Sequence, residues 1–193
     1  MSVQNNNWWY AVQAYGGNEE DAREKLKKEF PEIKTFIPKR ELEIRKGGKI
    51  KKEKKPLFPG YIFISFEEKI DYEKALEVLR RCRTTGLKTS ITKFLGIADT
   101  KISEKKEVLP VKTEEIAYIF ELTQESETIN FSKFVKSGTK IKILEGPLKG
   151  KEAVIKKVNA RKKRITVEIY LMGKTHEIDL GGSLAKDFDL EIT

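Results

Sequence analysis

A single cysteine, Cys82, stands in a chain of 193 residues. It excludes an internal disulfide and any multi-thiolate metal site, and a lone thiol suits a reducing compartment. Its expected place is that of a small buried side chain. Histidine is as scarce: His176 alternates with Ile178 and Leu180 and reads as a strand residue near a turn rather than a base. No His/Cys ligand spacing, no Walker-type glycine signature and no motif-framed nucleophile occurs. A binding protein is therefore expected, not an enzyme, with no metal and no cofactor. Long apolar runs are missing too. None approaches the roughly 20 residues of a membrane span, and the start MSVQNNNWWY has neither a charged n-region nor an apolar h-region. The expectation is a cytoplasmic monomer with no membrane contact.

Charge is abundant instead. Charged residues make up 36% of the chain, hydrophobic ones 38%, and the net charge is +9, a balance typical of globular units with densely charged faces. The excess is concentrated. Between Lys39 and Lys55 nine Lys or Arg face three acids, Glu41, Glu43 and Glu53. A second cluster holds Lys149, Lys151, Lys156, Lys157, Arg161, Lys162, Lys163, Arg164 and Lys174 against Glu152 and Glu168. Either cluster suits a polyanionic partner or a solvated face.

Hydrophobic periodicity divides the chain. Trp8 to Ala14 reads as a strand, with Tyr10, Val12 and Ala14 on one face and Trp9, Ala11 and Gln13 on the other. After Gly16-Gly17, Asn18 is a candidate N-cap, and Ala22, Leu26 and Phe30 recur at helical spacing until Pro31. Leu42 and Ile44 alternate with charged neighbours up to Gly47-Gly48, a hairpin signal that puts the Lys49–Lys55 run on one arm. Tyr61 to Phe66 is apolar on both faces, so its second face must meet something other than the first layer of helices. Asp71 is placed to cap a second helix, with Ala75, Leu76 and Leu79 inward, and Thr113 a third, with Ile116, Ile119 and Phe120 as its stripe. Residues 123–134 are polar and weakly periodic, which predicts a flexible linker. Short strands follow at 140–144, 152–158, 164–171, 174–180 and 187–192, a small barrel. The expected fold class is α+β, an antiparallel sheet with packed helices over residues 1–122 and an all-β barrel over 135–193.

WYAVQAYGGNEE at Trp9 to Glu20, FPGYIFI at Phe58 to Ile64, KFLG at Lys93 to Gly96 and GTKIKILEGPLKGKEAVIKKV at Gly138 to Val158 resemble, in order, the NusG-type transcription elongation factors. FPGY alone is weak; followed by a KOW motif around Leu144-Glu145-Gly146-Pro147 it is specific. The resemblance implies an NGN domain, a linker and a five-stranded, SH3-like KOW barrel. It also implies that the NGN domain binds the clamp helices of the largest subunit of RNA polymerase through an apolar depression, matched here by Trp9, Tyr10, Phe58, Pro59, Gly60 and Tyr61. Rigid aromatics suit such a helix-in-groove contact. Arg80, Arg81 and Arg83 are further candidates for contact with polymerase or the nontemplate strand, and the Lys49–Lys55 arm suits either the edge of the transcription bubble or a solvated hairpin tip.

The chain departs from the general factor of that family, whose barrel grips ribosomal protein S-ten or Rho with phenylalanines. The matching positions here are Leu148, Lys149, Gly150 and Lys151, and Met172 before Gly173. This basic barrel resembles the LoaP subfamily of specialised paralogues, which implies antitermination through a structured RNA hairpin in a leader transcript. The nine cations of the second cluster are the expected RNA-binding residues, and because alternate loops cluster at the rims of a small barrel, several of them are expected to converge on one patch. With Tyr170 the one obvious base-stacking residue, backbone and shape recognition is expected over single-strand readout, with Arg161 or Arg164 able to read a base edge. Two other readings stay open: a general elongation factor coupling polymerase to the ribosome, through S-ten, or to Rho, and a structural RNA-binding protein that carries a KOW barrel.

Overall fold

The computed structural model describes residues 7–15, 17–82, 91–99, 106–124 and 126–185. Its elements run β1 (Trp8–Ala14), α1 (Glu19–Glu29), β2 (Lys34–Phe36), β3 (Lys39–Lys46), β4 (Lys49–Pro56), β5 (Tyr61–Phe66), α2 (Tyr72–Cys82), β6 (Ile91–Phe94), β7 (Ile97–Asp99), β8 (Lys106–Val108) and α3 (Thr113–Thr123). They continue with β9 (Thr128–Ile129), β10 (Ser132–Ser137), β11 (Lys140–Glu145), β12 (Ile155–Asn159), β13 (Arg164–Leu171) and β14 (Lys174–Leu184). Contacts divide the chain into two compact units, residues 1–38 with 56–120, and residues 39–55 with 121–193. The fold is α+β, a helix-covered sheet followed by an all-β sheet.

In the first unit four strands take the order β2-β5-β1-β6. The central pair is antiparallel, with Tyr10 opposite Ile64 and Val12 opposite Ile62. Because side chains alternate across a strand, Tyr10, Val12, Ala14, Ile62 and Ile64 share one face, and Ala22 and Leu26 of α1 and Ala75, Val78 and Cys82 of α2 join them in one core. The buried stripe of α2 is Ala75, Val78 and Cys82, with half-buried Leu79 packed against it as expected; Leu76, also expected inward, is half-buried and outside that core. Asp71 caps α2 as its sequence suggests, accepting from the Lys74 amide at 2.8 Å. Asn18 does not cap α1: its side chain donates to the Tyr15 carbonyl at 3.1 Å. The opposite face of the sheet meets an aromatic layer. Trp9 stands edge-on to Phe36 and Phe120, Phe36 stacks on Phe120 with centroids 4.5 Å apart, and Phe63 links Phe36 to Phe58. Offset and edge contacts of this kind add to the area they bury.

The second unit contains a five-stranded sheet in the order β11-β10-β14-β13-β12. Ile165, Val167, Ile169 and Leu171 of β13 are all buried, as their alternation requires. The expected strand at 152–158 begins with a single 3-10 turn at Glu152–Val154 before β12, and the expected strand at 187–192 lies outside the described residues, as does Arg83. The segment expected to be a flexible linker, 123–134, is structured in the described residues. β9 pairs in parallel with β3, Ile129 is fully buried, and Ser132 opens β10. Its apolar residues, few in number, fall where they are covered, and Ser126 ties the turn by bonding the Thr123 and Thr128 carbonyls. The hairpin of β3 and β4 also belongs to this unit, with β3 between β4 and β9.

Candidate functional site

The Phe58–Tyr61 turn is built by three backbone bonds. The Tyr61 amide donates to the Phe58 carbonyl at 3.1 Å, the Gly60 carbonyl accepts from the Ala14 amide at 2.7 Å, and the Gly60 amide donates to the Glu19 carboxylate. Gly60 has φ +85°, in the left-handed region that disfavours a side chain. Glu19 is buried and fastens the turn to the start of α1. The turn presents Pro59, which is exposed, and Tyr61, which is half-buried; Trp9 is half-buried.

Two of the six expected polymerase-contact residues are core residues in this fold. Tyr10 is fully buried, its hydroxyl accepting from the Ile70 amide at 3.0 Å, and burial raises its pKa above 10.0. Phe58 is 4% exposed and packs edge-on against Phe63. Periodicity set Tyr10 on one face with Val12 and Ala14, the face that the helices cover in the fold; the resemblance drew it into the site. What sequence reasoning missed is the exposure of Trp8 and Tyr15, 41% and 47%, at the two ends of β1. The signal was their terminal position on a strand otherwise buried on both faces.

The basic residues of the second unit fall into two sets. Lys151 pairs with Glu121, Lys156 with Glu168 at 3.0 Å and Lys163 with Glu43 at 2.7 Å. Arg164 donates to the carbonyls of Lys162 and Lys163, both at 3.0 Å, and of Glu43 at 2.5 Å. Lys149, Lys157, Arg161, Lys162 and Lys174 are exposed and have no ion-pair partner among the described residues. The Ala160–Lys163 turn is closed by the Lys163 amide on the Ala160 carbonyl and by Asn159 Oδ1 accepting from the Lys162 amide at 2.9 Å. It holds Arg161 and Lys162 outward.

The nine cations do not all lie at one end of the sheet. Strand β13 separates the Ala160–Lys163 turn from the Met172–Gly173 turn, because Arg164 pairs with Gly181 at one end and Leu171 with Lys174 at the other. Seven residue steps of about 3.3 Å put Lys174 roughly 20 Å or more from Arg161. Between them the outward positions of β13 and β14 include Glu168 opposite Glu177 and Thr166 bonded to Asp179 at 2.6 Å. The β3–β4 hairpin, which carries the first basic cluster, meets this end of the sheet through Glu43.

Comparison with known proteins agrees with this architecture. A family model described as "Transcription termination factor nusG" matches residues 7–120, and a KOW motif matches residues 138–168. The transcription termination/antitermination protein NusG of Thermus thermophilus is 26% identical over 185 residues, covering 89% of this chain and 94% of that protein. The protein of the same name from Staphylococcus epidermidis is 28% identical over 180 residues, covering 89% and 91%. A solved structure of Thermotoga maritima NusG aligns over 91% of this chain and 93% of its own, at 20% identity and a TM-score of 0.46. Among the described residues no helix is long and apolar enough to cross a membrane. With a family match over more than half of its length, followed by the KOW motif, the chain belongs to the NusG family of transcription termination and antitermination factors.

Proposed function

We propose that this chain is a specialised antitermination factor that holds RNA polymerase with its first unit and a structured RNA hairpin of a leader transcript with its second. The observation that carries the RNA reading is the Ala160–Lys163 turn, which presents Arg161 and Lys162 to solvent with no acidic partner among the described residues. Such cations release counterions from a phosphate backbone. The outer positions of β13 carry one aromatic, Tyr170, so shape and backbone contacts outweigh base stacking. Lys149, Lys157, Arg161, Lys162 and Lys174 are the phosphate-contacting candidates. Lys151, Lys156, Lys163 and Arg164 act by positioning, since each is engaged within the fold.

On the polymerase side, Pro59, Gly60 and Tyr61, with Trp9, offer an apolar surface for the clamp helices; Phe58 anchors the turn against Phe63, and Tyr10 packs in the core on the opposite, helix-covered face of the sheet. Occupying the clamp disfavours pausing, and RNA capture selects the operon. The test is antitermination on a template carrying the leader hairpin. Arg161→Glu with Lys162→Glu is expected to abolish read-through while leaving polymerase binding intact; unchanged read-through by the folded variant would reject the reading.

A second reading is a general factor that couples polymerase to the ribosome through S-ten or to Rho; the relatives, each named a transcription termination/antitermination protein NusG, fit it equally well. Capture of S-ten or Rho by the full chain in the absence of RNA supports that reading over the first.

A further inference from the structure

We infer that the β3–β4 hairpin and the Ala160–Lys163 turn form one cationic surface that grips the sugar-phosphate backbone of a single RNA stem. This rests on the RNA reading above and extends it to a segment outside the KOW motif. The hairpin is fixed to the five-stranded sheet along β3. Arg40 Nη1 donates to the Asp179 carbonyl at 2.8 Å, and the Glu41 carbonyl lies so close to Gly181 that a Cβ there would stand 2.6 Å from it. Glu43 then takes Lys163 with its carboxylate and Arg164 with its carbonyl. These contacts progress along the strand toward the turn that holds Arg161 and Lys162.

The attachments also sort the hairpin's charges. Glu41 neutralises Lys52 at 3.0 Å, and Lys52 also lies over the Phe131 ring, 5.0 Å from its centroid. Glu43 is spent on Lys163. Two of the three hairpin acids are therefore committed near the sheet. Beyond Glu43, Arg45, Lys46, Lys49 and Lys51 are exposed and have no ion-pair partner among the described residues. At about 3.3 Å per residue, Arg45 and Lys46 continue roughly 7 to 10 Å past the Glu43 contact. Arg45 and Lys46 face opposite sides of the strand, so beyond the Glu43 contact the ribbon carries positive charge on both sides, as suits an arm that meets phosphates rather than a base-reading pocket. Double-stranded RNA is recognised largely through such backbone and shape contacts.

The experiment measures binding of the full chain to a fluorescent RNA stem-loop from the leader transcript across a salt series. The wild type is compared with Arg45→Glu/Lys49→Glu/Lys51→Glu and with Arg161→Glu/Lys162→Glu, each checked for folding by circular dichroism. Each lost phosphate contact removes about one unit from the slope of log K against log salt. The hairpin variant is therefore expected to lose two to three units of slope and about tenfold or more in affinity at moderate salt. A hairpin variant that binds like wild type, with an unchanged slope, while the turn variant fails, overturns this inference and leaves the RNA reading standing. A wild type that binds no RNA overturns both.

Discussion

The Lys163 ammonium stands 2.7 Å from the Glu43 carboxylate, and the adjacent Arg164 guanidinium donates to the Glu43 carbonyl. The two contacts are unequal. The ion pair is partly solvated and contributes about 0.5 kcal/mol, less in salt. Arg164 satisfies three carbonyls at once, and its loss costs about 1 to 3 kcal/mol. Arg164→Ala is expected to speed hydrogen exchange at the β3 amides, whereas Glu43→Gln changes it little. Equal protection in the two variants contradicts this ranking.

Gly181 is required by close approach rather than by its backbone angle. A Cβ would meet the Glu41 carbonyl oxygen and two carbons of the Phe131 ring, all at 2.6 Å, and the backbone oxygen cannot swing aside. Gly181→Val is expected to lower unfolding free energy by about 2 to 4 kcal/mol, measured by chemical denaturation. A loss near zero would mean that β3 does not lie against β14.

Within the Phe58–Tyr61 turn, stability and binding separate by residue. Phe58→Ala removes a buried ring and is expected to cost about 3 to 5 kcal/mol, so weakened polymerase capture by that variant says little about contact. Pro59→Ala and Tyr61→Ala, at exposed and half-buried positions, are expected to cost at most about 1.5 kcal/mol and to weaken capture in a pull-down. Unchanged capture by both variants rejects the polymerase surface drawn here.

Burial pushes the Cys82 thiol up to about 11 from 9.0, and Glu29 nearby adds to the rise. Tyr10 is raised above 10.0 by burial as well. Both groups are neutral in the fold and ionise more readily when unfolded. The Cys82 contribution to stability is whole below pH 9.0 and is lost as pH climbs toward 11, whereas that of Tyr10 begins to fall only above 10.0. The denaturation midpoint is expected to hold from pH 7 to 8.5 and fall above 9, with a shallower fall in Cys82→Ala. Iodoacetamide should modify native Cys82 far more slowly than the unfolded thiol at pH 8. Rapid native modification would place Cys82 outside the core.

Local signals carried much of this fold. The alternation of Ile165, Val167, Ile169 and Leu171, the Asp71 cap and the Gly47-Gly48 hairpin turn are all near-neighbour patterns, and each element formed where its pattern lay. Long-range partners were illegible. Nothing beside Phe36, Phe63 or Phe120 says that they close one aromatic layer over Trp9. Charge counting named Lys163, Arg164 and Glu43 but could not pair them, because the approach of Glu43 depends on where β3 lies in the unit. The polar stretch before Ser132 looked like a linker because its buried residues, Thr123, Thr128 and Ile129, include a single aliphatic and set no period.

The most direct test of the antiterminator account is binding of the full chain to leader-derived RNA hairpins and to scrambled stems of equal length across a salt series. One hairpin held at least about a hundredfold more tightly than its scrambles, at every salt concentration, is the expected result. Equal binding to all stems, fading together as salt rises, would contradict it and turn the cations of the second unit into a nonspecific surface.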